Sequence, residues 1–246
     1  MIPQINPLSL LWPLITIIIG TLPILILKVN AKVFGVAAIS YFIAIALKIV
    51  IQELTLNYII IYPYYIQGLY YGGQTAIFEI GLAFLFAVIF KIDKPIDFGV
   101  SLAFWENAIF LGFLSGITLP DVLISYYLIA SNAPASKIIY ESFKNTVLYL
   151  GNNQLLEYML YHTFDRLSSL FAHGAWGSMA SLYFIRRKKS YFIIMILGFI
   201  DFMVPLFNEG IINYFTISIL SLLLSIIGFL SMYIIYQEHM KNKVGN

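Results

Sequence analysis

Residues 8–27 read LSLLWPLITIIIGTLPILIL, twenty residues without a charged side chain. About 20 consecutive apolar residues suffice for a helix to cross the hydrocarbon core of a bilayer. Similar stretches recur along the chain, whose 246 residues include only 14 Lys and Arg and 12 Asp and Glu. Because soluble domains carry about a quarter charged residues, this composition predicts an integral membrane protein and leaves no room for a sizeable soluble domain.

The apolar stretches predict an all-α fold, a polytopic transmembrane helical bundle in which residues 1–246 form a single membrane domain. Seven spans are expected, at residues 8–28, 33–50, 73–90, 97–117, 156–186, 190–207 and 210–236. Segments 52–72 and 119–154 are expected at the membrane interface, because the first is rich in tyrosine and the second contains an amphipathic pattern over residues 136–150. We therefore expect a multi-pass protein of the cell membrane.

Basic residues follow every second span. They are Lys28 and Lys32, Lys91 and Lys94, the run from Arg186 to Lys189, and Lys241 and Lys243. Such residues mark the cytoplasmic ends of membrane helices. The alternation predicts an odd number of spans, with the N-terminus outside and the C-terminus in the cytoplasm.

The composition also excludes several kinds of chemistry. The chain has no cysteine, which excludes disulfides, thiolate metal ligands and a cysteine nucleophile. Its net charge of +2 is too small to indicate a nucleic-acid partner. The lipid bilayer is therefore the first partner that the sequence predicts.

Four ionisable residues lie well inside the predicted spans: Glu79, Glu106, His173 and Asp201. A carboxylate at the centre of a membrane helix costs roughly 2.5–3.5 kcal/mol to insert, so such residues are functional candidates. Each lies 12 or 13 residues from a basic residue at the inner end of its own span. At about 1.5 Å per residue, the four share one depth, roughly 18 Å from the inner basic layer. We expect them to converge around one cavity.

Motifs of better-known intramembrane proteases are absent: the chain contains no HExxH, GxGD or GxSG. Four other segments carry a resemblance. They are AIFEIGLA (76–83), FGVSLAFWENAIFLG (98–112), FDRLSSLFAH (164–173) and DFMVPLFNEG (201–210). Over about residues 70–215 their order and spacing resemble the YhfC family of proposed intramembrane proteases. That family is distantly related to the CAAX-protease and bacteriocin-processing group and to the PrsW proteases.

The family pattern maps onto this chain with three departures. The residues that match its motifs are Glu79, Glu106, Asp165, Arg166, His173 and Asp201. Ile80 and Ala83 stand where the family has a second Glu and an Arg, and Leu197 and Gly198 occupy the region of a family His. The resemblance implies an intramembrane protease or a degenerate relative of one.

The implied reaction is hydrolysis of a peptide bond by a water activated in the membrane, on a membrane-embedded or membrane-proximal peptide. Glu79 is the expected base, His173 would orient water or stabilise the oxyanion, and Glu106 completes the catalytic group. Supporting roles are expected for Asp201, Asn107, Asp165 and Arg166. Two forms stay open: a metal-free glutamate mechanism, and a divalent metal such as zinc held by Glu106, His173 and Asp201.

Two other classes of function fit the same residues. Carboxylates inside the membrane also suit a small ion-coupled transporter. The departures from the family pattern suit a non-catalytic membrane scaffold. The most informative observation is whether the four ionisable residues converge around one wet cavity, because the catalytic hypothesis fails if they face separate helix interfaces.

Overall fold

The computed structural model describes residues 3–244, and its regular structure is helical. Within this range the α-helices are α1 (Leu11–Leu27), α2 (Ala31–Ile59), α3 (Tyr64–Gln74), α4 (Gly81–Ile89), α5 (Pro95–Phe104), α6 (Leu119–Ala130), α7 (Ser136–Phe143), α8 (Asn152–Arg186), α9 (Met203–Asn208) and α10 (Tyr214–Val244). Two π-helical segments, π1 (Thr75–Ile80) and π2 (Trp105–Leu114), and a 3-10 segment (Lys189–Phe202) continue or join them. Shorter 3-10 turns are Pro7–Leu10 and Val147–Tyr149.

Six helical stretches of the described range are long and apolar enough to cross a membrane. They are Pro7–Leu27, Ala31–Ile59, Tyr64–Ile89, Pro95–Ala130, Lys189–Asn208 and Tyr214–Lys241. Several of these stretches are composite; Tyr64–Ile89, for example, joins α3, π1 and α4. The predicted all-α, multi-pass membrane architecture is confirmed at this level.

Helix α8 lies in the interior of the bundle. All residues from Ala172 to Leu182 are buried, and α8 packs against α1, α4, α5, α10 and the 3-10 segment. Its surface is rich in Gly, Ala and Ser, which let neighbouring backbones approach closely. Because protein surrounds this part of α8, it does not need the apolar surface that a lipid-facing helix needs.

Glycines set the distance between α5 and α8. A Cβ atom on Gly99 would lie 2.5 Å from the carbonyl oxygen of Gly174, and one on Gly177 would lie 2.7 Å from the Cα of Gly99. Ser178 and Ser181 of α8 donate hydrogen bonds to the carbonyls of Pro95 (3.0 Å) and Ile92 (2.8 Å). This contact places π2, which follows α5, alongside α8.

The segments expected at the interface are more helical than their composition suggests. Helix α2 continues to Ile59 and α3 begins at Tyr64, so only a short turn separates them within 52–72. In 119–154, α6 and α7 form two short helices, and α7 ends at Phe143, before the expected amphipathic helix would end. Buried side chains of α6 pack against Leu148 and Ile5 in a small cluster of their own.

Candidate functional site

A cavity of about 230 Å³ lies among α2, π1, π2, α8, the 3-10 segment and α10. The four ionisable residues predicted from the spans, Glu79, Glu106, His173 and Asp201, all line it. Asp165 and Arg166 line it as well. The structure therefore brings together at one cavity the residues that the sequence placed at one depth on four different helices.

Three of these residues lie on irregular helical turns. Glu79 is in π1, Glu106 is in π2, and Asp201 is near the end of the 3-10 segment. Helical segments with i→i+5 hydrogen bonds are rare in proteins, and those that occur are often found at functional sites. A regular α-helix would rotate these side chains relative to the rest of their helices, so the changes of winding help to aim them at the cavity.

His173 is the buried centre of the cluster. Its Nδ1 lies 3.0 Å from the carbonyl oxygen of Ser169. A carbonyl only accepts hydrogen bonds, so Nδ1 carries a proton and Nε2 faces the carboxylates. Nε2 lies 2.9 Å from Glu106 Oε2 and 3.5 Å from Glu79 Oε2. Among the described residues, none is aligned to form a hydrogen bond with Nε2 in spite of these short distances.

Lys48 of α2 is a member of the site that the sequence analysis did not identify. Its ammonium contacts Glu79 Oε1 and lies 2.8 Å from the hydroxyl of Thr75 and 3.5 Å from Asp201 Oδ2. Most of the basic residues lie at or beyond the ends of the predicted spans. The available signal was that Lys48 lies within the predicted span 33–50 and is followed by the apolar run Ile49–Ile51.

Arg166 holds Glu106 and Asp165 from the other side of the cavity. Its Nη2 lies 2.5 Å from Asp165 Oδ2, and its Nη1 lies 3.6 Å from Glu106 Oε1. Nη1 also donates to the side-chain oxygen of Asn107 (3.1 Å), whose amide donates to the backbone carbonyl of Arg166 (3.3 Å). Asn107 is fully buried and thus ties π2 to α8 next to the cluster.

The ligand atoms that cluster most closely differ from the predicted metal set. One ligand atom each from Glu79, Glu106 and His173 lie within 4.8 Å of one another. The set predicted from the sequence is Glu106, His173 and Asp201. Instead, the carboxylate of Asp201 accepts a hydrogen bond from Thr75 and lies near Lys48.

The charges around the cavity fit a divalent cation. Among the described residues that line it, four carboxylates (Glu79, Glu106, Asp165, Asp201) face two permanent cations, Lys48 and Arg166. With a neutral imidazole the site carries two excess negative charges in a medium of low dielectric constant, where such charges are costly. A proton on His173 compensates one of them, and a divalent ion compensates both. The unpaired Nε2 and the adjacent carboxylate oxygens are suitable ligands for such an ion.

The structure also places the residues that depart from the family pattern. Ile80 and Ala83 are fully buried in the main apolar core. Leu197 lines the cavity, whereas a Cβ on Gly198 would lie 2.5 Å from the backbone nitrogen of Ala76. No side chain fits at Gly198 with this packing, so Leu197 is the position from which a side chain reaches the cavity.

No family model matches the chain, and neither does any curated protein or solved structure. The resemblance to the YhfC family therefore stays a hypothesis.

Proposed function

We propose that this chain is an intramembrane peptidase, which hydrolyses a peptide bond with a water molecule activated in the cavity. The convergence of Glu79, Glu106 and His173 within one buried cluster is the observation that carries this proposal. A proton acceptor, an imidazole and a second carboxylate within reach of one another are the groups that such a reaction needs. The peptide substrate itself is suggested by the resemblance to the YhfC family.

In the proposed reaction Glu79 accepts a proton from water as the water oxygen bonds to the carbonyl carbon. Lys48 contacts Oε1 of Glu79, which leaves Oε2 on the side of His173 to act as the base. His173, protonated on both nitrogens, donates its Nε2 proton to the developing oxyanion, and the nearby carboxylate of Glu106 stabilises the positive charge of the ring. The carbon–nitrogen bond then breaks, and the proton on Glu79 passes to the leaving amine.

The same residues offer a second form of this chemistry. Glu79, Glu106 and His173 would hold a divalent ion such as zinc, which would supply Lewis-acid polarisation of the carbonyl. Arg166 would still hold Glu106, and Lys48 would still balance the charge of Asp201. Metal analysis of the purified protein distinguishes the two forms.

We also propose the complete topology, with α8 as the fifth of seven spans, the N-terminus outside and the C-terminus in the cytoplasm. Helix α8 has 35 residues, which is long enough to cross a bilayer. The basic run Arg186–Lys189 at its C-terminal end supports a cytoplasmic position for that end.

Cleavage of labelled peptides by the reconstituted protein tests the peptidase proposal. A pool of single-span peptides with a donor and a quencher should be cleaved by the wild type, and one ¹⁸O atom from labelled water should enter the new carboxyl group. Glu79→Gln and His173→Ala should reduce the rate by at least about a hundredfold, because each removes a group that acts on the reacting atoms. Glu157→Gln is the matched control, since Glu157 is an exposed glutamate of α8. Cleavage that persists in both site variants would contradict the proposed roles.

An ion-coupled carrier is the second candidate, and the Lys48–Glu79–Asp201 network favours it. Asp201 is 36% exposed, whereas Glu79 in the same network is only 9% exposed, so one carboxylate is open and the other is enclosed. Such a pair suits stepwise transfer of a proton or cation. Proton movement into proteoliposomes that is driven by a Mn²⁺ or Na⁺ gradient and lost in Asp201→Asn would favour the carrier over the peptidase.

A further inference from the structure

Lys48 places a permanent positive charge inside the cluster of carboxylates. Its side chain is only 15% exposed, and it enters from α2, which carries none of the residues predicted for the site. A lysine within a membrane helix is costly to insert unless partners compensate its charge. The partners of Lys48 lie on two other elements, π1 and the 3-10 segment. The ammonium of Lys48 is therefore held in place by residues of the candidate site.

The hydrogen bonds around Lys48 form an ordered set. An ammonium has three donors and no acceptor. They are directed at Glu79, at the hydroxyl of Thr75 and at Asp201. Because the Thr75 hydroxyl accepts from Lys48, its own proton is available for Asp201, to which it donates. Thr75 therefore connects the lysine to the more exposed carboxylate.

Lys48 and a divalent cation would compete for Glu79. One oxygen of Glu79 contacts the ammonium, and the other lies 3.5 Å from His173 Nε2 in the candidate metal cluster. An ion bound by Glu79, Glu106 and His173 would therefore lie close to a fixed positive charge, which repels it. This repulsion falls if the ammonium moves away from Glu79.

We infer that Lys48 is a positioning residue that serves as the built-in counter-ion of Glu79 and yields this carboxylate to a divalent cation by shifting to Asp201. The inference rests on the cation site proposed above. Asp201 Oδ2 is already 3.5 Å from the ammonium, and the flexible four-carbon stem of lysine allows a small movement toward it. Lys48 thereby sets the affinity of the site for the cation and links its occupancy to the ion pair between Lys48 of α2 and Asp201 of the 3-10 segment.

Titration of Zn²⁺ alone, and of Mn²⁺ alone, into the full-length protein in detergent tests this role by calorimetry. Lys48→Met removes the competing charge and should bind the ion at least about tenfold more tightly than the wild type. Lys48→Arg keeps the charge and should stay closer to the wild type than to Lys48→Met. Asp201→Asn removes the alternative partner of the lysine, so it should weaken binding about tenfold.

Lys32→Met is the matched control, since it removes an exposed lysine near the start of the same helix and should not change the affinity. Thermal unfolding without added ion identifies any variant that has failed to fold. If Lys48→Met does not fold, Asp201→Asn keeps the test valid, because undiminished binding by that variant would contradict the inference. Equal or weaker binding by folded Lys48→Met, or no binding by either protein, would overturn the inference. Peptide cleavage is not measured here, so a failed peptidase proposal leaves this result interpretable.

Discussion

Arg166 connects the two sides of the candidate site at the scale of single residues. Its guanidinium contacts Asp165 and Asn107 and lies 3.6 Å from Glu106, and its side chain is mostly buried. Arginine suits this place because its planar group binds several oxygens at fixed angles and stays charged. Removing one partner of a buried ion pair leaves the other charge without compensation.

Arg166→Met should therefore destabilise the protein by about 3–5 kcal/mol, because Glu106 and Asp165 would lose their common counter-ion. Thermal unfolding in detergent measures the change. Adding Asp165→Asn to Arg166→Met should recover part of the stability, since one unpaired charge is removed. A double variant that is no more stable than the single one would contradict this account.

Lys144→Met provides the comparison for Arg166→Met. Lys144 and Glu141 form an ion pair at 2.5 Å at the C-terminal end of α7, but both side chains are exposed. Exposed pairs contribute little because water screens the charges. The unfolding temperature of Lys144→Met should be indistinguishable from that of the wild type, and a loss comparable to that of Arg166→Met would show that burial is not the cause.

Single residues also show what the sequence could and could not predict about the site. Glu79, Glu106, His173 and Asp201 could be found because a charge in an apolar span is costly and rare. Lys48 has the same signal, because it also lies within a predicted span, at residues 33–50. The pairing of Glu79 with His173 and of Asp201 with Thr75 depends on helix rotation, which no sequence pattern encodes.

At the scale of the element, the irregular windings decide where the carboxylates point. Segments π1 and π2 have sequences typical of ordinary apolar helices, TAIFEI and WENAIFLGFL. The periodicity of apolar residues predicts that a span is helical, but neighbouring helices determine whether its turns close after four or five residues. The sequence could therefore predict the spans that carry Glu79 and Glu106 and not the direction of their side chains.

The contact between π1 and the 3-10 segment should be sensitive to one added side chain. A Cβ on Gly198 would lie 2.5 Å from the backbone nitrogen of Ala76, and backbone cannot move aside as a flexible side chain can. Gly198→Val should push the 3-10 segment away from π1, separate Asp201 from Thr75, and lower both the unfolding temperature and the affinity for Zn²⁺. Thermal unfolding and calorimetry measure the two effects.

Gly35→Ala is the matched control for Gly198→Val. Among the described residues, no atom that would obstruct a Cβ at Gly35 lies within 4 Å. Alanine is favoured over glycine inside a helix by up to about 1 kcal/mol, so α2 should be unchanged or slightly stabilised. If both variants lost stability equally, the close approach at Gly198 would not be the reason.

At the scale of the whole molecule, the environment of α8 explains why six helices of the structure are apolar enough to cross a membrane whereas seven spans are predicted from the sequence. Residues 172–182 of α8 are enclosed by other helices and are rich in small and polar side chains, so α8 falls short of the apolar composition of the other spans. The alternation of basic residues counts α8 as a span because it depends on helix ends. The two criteria thus differ only on α8, because this helix is enclosed by protein. Six spans place the two chain ends on the same side of the membrane, whereas seven spans place them on opposite sides.

Labelling of single cysteines decides between six and seven spans. The natural chain has no cysteine, so Gln4→Cys and Lys241→Cys each introduce one reactive thiol at an exposed position. With seven spans these positions lie on opposite sides of the membrane, so a membrane-impermeant maleimide should label Gln4→Cys on intact cells and Lys241→Cys only after permeabilisation. Ser142→Cys, at an exposed position of α7, should behave like Gln4→Cys. Labelling of Gln4→Cys and Lys241→Cys from the same side would mean an even number of spans, with α8 held inside the bundle without crossing the membrane.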